Sequence, residues 1–236
     1  MIQANPLRPI ARLRGISHCF GRPPHRLEVL RDVELSIVAG EMTLIMGPSG
    51  SGKTTLLSIM GLLIRPTHGT VELHGCDLTE WSESKLPAAR RTHVSFIFQA
   101  FNLLSALTAS ENVQVALGLQ GVDGQDAARG ADDLLARVGL GDRAGHKPSQ
   151  LSCGQQQRVA IARALASPAP LLLADEPTGN LDSSNANDVV SLLQSLARQE
   201  GRAVVVVTHD PRLEKFADRI ICLEDGRVVT DRRGIS

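Results

Sequence analysis

The sequence predicts an α/β domain built on a mainly parallel sheet. Short apolar runs recur along the chain: Leu171 to Ala174, Ala203 to Val207 and Arg219 to Leu223, each bounded by turn residues. Runs of this kind suit parallel strands buried on both faces. Between them lie segments with helical spacing, such as Val189, Leu192, Leu193 and Leu196. Strands alternating with helices imply an α/β architecture. A glycine-rich turn, Gly47 to Thr54, sits where one such strand should hand over to a helix.

Taken in order, Arg12 to Ser17 and Val33 to Val38 alternate apolar and polar residues, as half-buried strands do. Glu41 to Met46 is predicted as a third strand that runs into the glycine turn. Thr54 to Leu63 then reads as a buried helix, with Leu56, Leu57, Ile59, Met60 and Leu63 apolar. Gly69 to Leu73 and Val94 to Phe98 are strand-like. Residues 99–150 differ: Val113, Val115 and Leu117, then Leu134, Leu135 and Val138, have helical spacing, punctuated by Gly118, Gly121, Gly124 and Gly130. The expected organisation is one domain over 1–236. Its α/β core takes 1–98 and 151–236, and 99–150 form an α-helical subdomain inserted between the two parts.

The 236 residues are 42% hydrophobic, enough for an ordinary globular core. Lys+Arg and Asp+Glu balance at 25 each, which argues against a general grip on nucleic acid. Cys19, Cys76, Cys153 and Cys222 are scattered with no CxxC pair, and read as reduced cytosolic thiols. No apolar run approaches the ~18 residues that span a bilayer. Met1 to Pro9 lacks the apolar stretch of a signal peptide and is expected to be a loose tail. The chain is therefore expected to be cytoplasmic, and to reach a membrane only through a partner.

Gly47 to Thr54 matches GxxxxGK[ST] in the strand–turn–helix context that the motif requires. Backbone N–H groups of Gly47, Pro48's neighbour Ser49, Gly50, Ser51 and Gly52 can converge on phosphate oxygens, and the following helix N-terminus adds positive potential. The phosphate-binding set is Gly47, Pro48, Ser49, Gly50, Ser51, Gly52, Lys53, Thr54 and Thr55. Lys53 is expected to reach the β- and γ-phosphates, and Thr54 to ligate Mg²⁺. Downstream, Leu171 to Asp175 is an apolar strand that delivers Asp175 and Glu176 at its carboxyl end, where ligands of open α/β sheets sit. Asp175 is placed to hold Mg²⁺ and Glu176 to polarise an attacking water. His209 follows Val204 to Thr208, again at a strand's end, within reach of a γ-phosphate or of Glu176. Phe20, one of five phenylalanines in a chain without tyrosine, either stacks on adenine or fills the core. Gln99 ends the Val94 to Phe98 strand and could touch Mg²⁺ or water.

With these residues in this order, the chain resembles ATP-binding-cassette (ABC) ATPases from about Ile10 to Val229. The order runs through the aromatic Phe20, Walker A Gly47 to Thr54, Gln99 and the signature Leu151 to Gln155. It continues with Walker B Leu171 to Asp175, Glu176, the D-loop Gly179-Asn-Leu-Asp182 and switch His209. The resemblance implies a P-loop NTPase core, an N-terminal antiparallel β part and an α-helical insert. It further implies ATP and Mg²⁺ as cofactors, with Thr54, Gln99 and Asp175 toward the metal and Glu176 and His209 catalytic. Partners implied are a second ATPase subunit, identical or related, and an integral membrane permease. Each ATP would lie between one subunit's Walker A and the other's signature, Ser152, Cys153, Gly154 and Gln155, with Asp182 nearby. The stretches Phe98 to Leu104, Leu107 to Val113 and Pro177 to Asp182 are similar to the lipoprotein-release and macrolide-exporter subgroup. The usual signature is Leu-Ser-Gly-Gly-Gln, so Cys153 is a departure. Its backbone N–H is kept, and only a left-handed backbone or a tight approach there would exclude the side chain.

Two other functions compete. Soluble ABC ATPases that act on DNA carry long coiled-coil insertions between Walker A and Walker B, and those that act on ribosomes usually carry two cassettes; this chain has neither feature. A small-molecule P-loop kinase leaves Leu151 to Arg158 unexplained.

Overall fold

The computed structural model describes residues 9–22 and 24–234; of the expected loose tail only Pro9 falls within them. The chain opens with strands β1 (Ala11–Phe20), β2 (Leu27–Ile37) and β3 (Met42–Met46), then helix α1 (Lys53–Met60). Next come β4 (His68–Leu73), β5 (Cys76–Asp77), α2 (Leu86–His93) and β6 (Val94–Ile97). Helices α3 (Ala109–Leu119), α4 (Gly124–Arg137) and α5 (Cys153–Leu165) follow in sequence. The remainder is β7 (Leu171–Asp175), α6 (Ser183–Glu200), β8 (Ala203–Val207), β9 (Arg219–Glu224) and β10 (Arg227–Arg233).

Among the described residues there are two sheets. The smaller has the order β2-β1-β4-β5, all antiparallel. The larger runs β10-β9-β3-β8-β7-β6, parallel except for β10 at one edge. Apolar continuity explains the parallel part. Val204 and Val206 of β8 enter one core with Leu172, Ala174, Met42 and Leu44, on the side of α5 and α6. Ala203, Val205 and Val207 enter a second core with Leu171, Leu173, Ile45 and the α1 residues Leu56, Ile59 and Met60. Each strand therefore feeds two layers, so most positions are apolar, with Thr43 and Ser95 as buried polar exceptions. Burying one such Val or Leu is worth about 1.5–3 kcal/mol.

The alternating segments at the N-terminus pair antiparallel, as expected of strands with one wet face. Several details differ from the sequence reading, β1 and β2 being longer than expected. Helix α1 ends at Met60 rather than Leu63, because Gly61 closes it, and Leu63 lies 44% exposed instead of buried. Phe98 lies just past β6, and Val115, on the exposed side of α3, is 45% exposed. Strand β10 and helix α2 carry weak periodicity and are not legible in the sequence. In α2, Pro87 and three basic residues leave only Leu86 and Ala89 buried.

The parallel strands end together. Ile45 and Asp175 both pair with Val207, so β3, β7 and β8 deliver the residues that follow them to one edge of the sheet.

Candidate functional site

The glycine turn leaves β3 at Gly47, whose φ of 151° lies in the region that side chains avoid. A β-carbon there would fall 2.0 Å from the Leu223 carbonyl oxygen and 2.9 Å from Ser51 Oγ. Only glycine lets β9 and the turn approach so closely. The exposed residues Pro48, Ser49 and Gly50 form its open side. Lys53 is buried beneath them, and its Nζ donates to the carbonyls of Gly47 and Pro48, both at 2.8 Å. An ammonium has three donors, so one remains for an anion over the turn. Ser51 Oγ is buried without a hydrogen-bond partner among the described residues. A buried hydroxyl of this kind ordinarily has a partner, and the turn fits an oxyanion ligand that would supply one.

Thr54 and Thr55 begin α1 behind Lys53. The Thr54 hydroxyl donates to Asp175 Oδ1 at 3.1 Å, joining the helix start to the end of β7. Burial raises the Asp175 carboxyl above the usual carboxylate range, helped by the Glu176 charge and opposed by the Thr54 hydrogen bond and Lys53. Two hard oxygen donors thus converge where the sequence placed a divalent cation. Mg²⁺ needs only one or two protein ligands beside phosphate.

Glu176 has φ 45°, a left-handed conformation costing a non-glycine residue of order 1–3 kcal/mol. Three contacts hold it there. Its N–H donates to the Val207 carbonyl at 2.9 Å, the Thr208 hydroxyl donates to Oε2 at 3.3 Å, and His209 Nδ1 lies 2.7 Å from Oε1. The Glu176 side chain is 13% exposed and the His209 ring 71% exposed. A base would thus be fixed from below while facing solvent. Thr208 was not singled out from sequence; its position between an apolar strand and His209 was the available signal.

Phe20 is 44% exposed and meets His18 edge-on, with ring centroids 4.5 Å apart. It is therefore not a core aromatic. Its cross-strand partner is Leu27, and two residues further the Val29 carbonyl and the Leu30 side chain pack against Gly52. The β1–β2 pair thus presents an exposed ring beside the phosphate turn.

Ser152 caps α5, accepting from the Gln155 N–H at 3.3 Å, while Gln155 Oε1 accepts from the Ser152 N–H at 3.0 Å. This capping box spends two donors of the helix end and leaves the N–H groups of Cys153 and Gly154 at its mouth. Cys153 is exposed at the first helical position and is not among the residues with positive φ. The backbone condition that would exclude its side chain is absent. Asp182 caps α6, and hydrogen bonds from Asn185 hold it below the usual carboxylate range.

The structure brings Thr54, Asp175, Glu176 and His209 to one edge. It does not bring Gln99 into a hydrogen bond with Thr54 or Asp175: the Gln99 amide lies beside Gly179, and its carbonyl accepts from Asn180 Nδ2 at 3.2 Å. Among the described residues no hydrogen bond joins residues 152–155 to the phosphate turn.

A parallel sheet whose switch between β3 and β8 holds a phosphate turn, a Thr–Asp pair and a Glu–His pair defines a P-loop nucleoside triphosphatase. The chain belongs to the ABC transporter family, whose pattern its residues 30–179 match, and it is the ATP-binding, ATP-hydrolysing cassette of that family. It is 48% identical over 225 residues to the macrolide export ATP-binding/permease protein MacB 1/2 of Paracoccus denitrificans, covering 95% of this chain and 34% of that protein. To the macrolide export ATP-binding/permease protein MacB of Agrobacterium fabrum it is 43% identical over 228 residues, covering 97% and 35%. The chain thus spans about a third of the length of these curated relatives. The dimeric, post-hydrolysis ATP-binding cassette MJ0796 bound to ADP and Pi superposes with a TM-score of 0.89 at 40% identity, covering 96% of this chain and 99% of that one. The mixed α/β architecture expected from sequence agrees with these cassettes.

Proposed function

We propose that this cassette works as a head-to-tail dimer, with itself or a related subunit, and drives an integral membrane permease. Each ATP lies between the phosphate turn of one subunit and Ser152 to Gln155 of the other. The observation that carries this reading is the helix end exposed at Ser152 and Cys153. It is an anion-binding end with no hydrogen bond to its own chain's phosphate turn. Closure joins the two halves, and loss of the γ-phosphate releases them.

In the closed site Lys53 and the turn from Gly47 to Thr55 hold the β- and γ-phosphates, with Phe20 against adenine. Thr54, Asp175 and Gln99 would hold Mg²⁺, which would supply charge neutralisation for the phosphates. Glu176 accepts the proton of the attacking water, and His209 positions Glu176 and meets the γ-phosphate. Asp182 stands at the edge of the opposing site. In domain terms the whole chain, 1–236, is one ABC ATPase domain, with 1–98 and 151–236 as the α/β core and 99–150 as the helical subdomain.

Among the described residues no helix is long and apolar enough to cross a membrane, so membrane work needs a permease, on another subunit or elsewhere in the polypeptide. A groove of about 670 Å³ is lined by Leu63, Phe96, Phe98, Leu119 and Arg163. Exposed Leu63 and Leu119 suit a cytoplasmic segment of that permease. The relatives named as ATP-binding/permease proteins support this partner. We place the cassette, through that permease, on the cytoplasmic face of the inner or plasma membrane, with a cargo of lipoprotein, peptide or macrolide-like chemistry or a role in mechanotransmission; of these the relatives' names speak to macrolide export alone. Affinity purification from detergent-solubilised membranes tests it: a polytopic membrane protein should co-purify with the wild type and be lost in Leu119→Glu. Recovery of ribosomes or DNA in its place would favour the soluble ABC ATPase reading.

A further inference from the structure

The start of α6 is a meeting point of three loops. Asp182 accepts from the Asn185 N–H at 3.0 Å with one oxygen and from Asn185 Nδ2 at 2.6 Å with the other. The same Asn185 side chain lies against Gly154 in the signature. A β-carbon on Gly154 would come 2.9 Å from Asn185 Oδ1 and 3.0 Å from its Cγ. Just before the cap, Asn180 donates to the Gln99 carbonyl. Just after it, Ser183 Oγ accepts from Arg212 Nη1 at 2.9 Å, and Arg212 is bound to Asp210, next to His209. Arg158 and Asp188, 2.9 Å apart, fasten α5 to α6 one turn further along.

An asparagine in the first turn of a helix is commonly a solvated polar residue. Here its amide is spent on a carboxylate, a charge-assisted bond that fixes its rotamer, and its Oδ1 occupies the space that a β-carbon on the buried Gly154 would need. We infer that Asn185 is a positioning residue for the signature turn: held by Asp182 and pressed on Gly154, it sets where the mouth of α5 sits relative to the D-loop. Part of the demand for glycine at 154 therefore comes from Asn185 in the same chain, and not only from the ATP opposite. The inference rests on the ATPase dimer reading, and its test separates the two.

Steady-state kcat and KM for ATP are measured for the wild type, Glu176→Gln, Gly154→Ala, Asn185→Ala and the Gly154→Ala/Asn185→Ala pair. Overpacking at Gly154 should lower kcat about a hundredfold. Losing the Asn185 amide should lower it about fivefold, with KM little changed, since the residue does not touch nucleotide. The pair should recover about fivefold or more over Gly154→Ala alone, toward the level of Asn185→Ala. A pair less than about fivefold faster than Gly154→Ala alone overturns the inference. If Gly154→Ala does not fold, Asn185→Leu replaces it, keeping the branched shape without the amide. It should lose about tenfold in kcat, and a loss under about twofold overturns the inference. Undiminished turnover in Glu176→Gln instead overturns the site assignment beneath it, whatever happens at 154 and 185.

Discussion

Nδ1 of His209 lies 2.7 Å from Oε1 of Glu176, and the other oxygen of the same carboxylate accepts from Thr208. With Glu176 as carboxylate, Nδ1 donates and Nε2 faces outward. Replacing Glu176 by Gln keeps the shape and removes the base. Turnover should fall about 10²–10⁴-fold while ATP binding persists, and an ATP-bound dimer should accumulate. Phosphate release and size-exclusion chromatography with ATP check both halves; hydrolysis at the normal rate would mean that the base lies elsewhere.

Lys53 is held by two carbonyls of its own turn, so Lys53→Ala removes a charge already aimed over that turn. ATP affinity should weaken about 10- to 100-fold, the scale of one or two charge-assisted hydrogen bonds. Titration calorimetry measures this directly, and an unchanged Kd would count against the phosphate-turn assignment.

Cys153 stands exposed at the first position of α5 with an ordinary helical backbone. Turnover in Cys153→Gly should stay close to wild type. In a Glu176→Gln background, ATP should slow alkylation of Cys153, because the closed dimer covers that helix end. Equal labelling rates with and without ATP would argue against the sandwich, and an inactive wild type rescued by Cys153→Gly would show that the thiol is harmful.

The Asp175 carboxyl is raised above its ordinary value mainly by burial. A raised acid is more protonated in the folded state than in the unfolded chain, so stability falls as pH climbs through the folded-state value. Asp175→Asn should therefore raise the melting temperature at neutral pH without nucleotide. The gain should shrink as pH drops below the ordinary carboxylate range, where both states are protonated. Turnover should fall in the same variant, a stability–function trade. Thermal melts across pH test the sign; a lower melting temperature at neutral pH would refute it.

Much of the fold was legible because its central strands are continuously apolar. Ala203–Val207 has the bounds read from sequence, since burial on both faces leaves no periodicity to misplace. Leu63 shows the opposite case. Its spacing continued the helix, but Gly61 had already ended it, and the residue turns out to the groove. Among site residues, Thr54, Asp175, Glu176 and His209 could be named from their places at strand ends. Thr208 and Asn185 could not, because a hydroxyl or amide announces no role until its partner is known.

The order of motifs along the chain, from Phe20 to His209, determined the class of chemistry and the α/β architecture. Backbone-driven features of this kind are local: a glycine turn, an apolar run, a cap. The tertiary structure alone decided which distant groups meet. Thr54 reaches Asp175 across 121 positions, Glu176 is held left-handed by β8, and Gly154 carries no side chain where Asn185 presses against it. Such contacts arise from how layers pack, and packing depends on shapes brought together from across the chain.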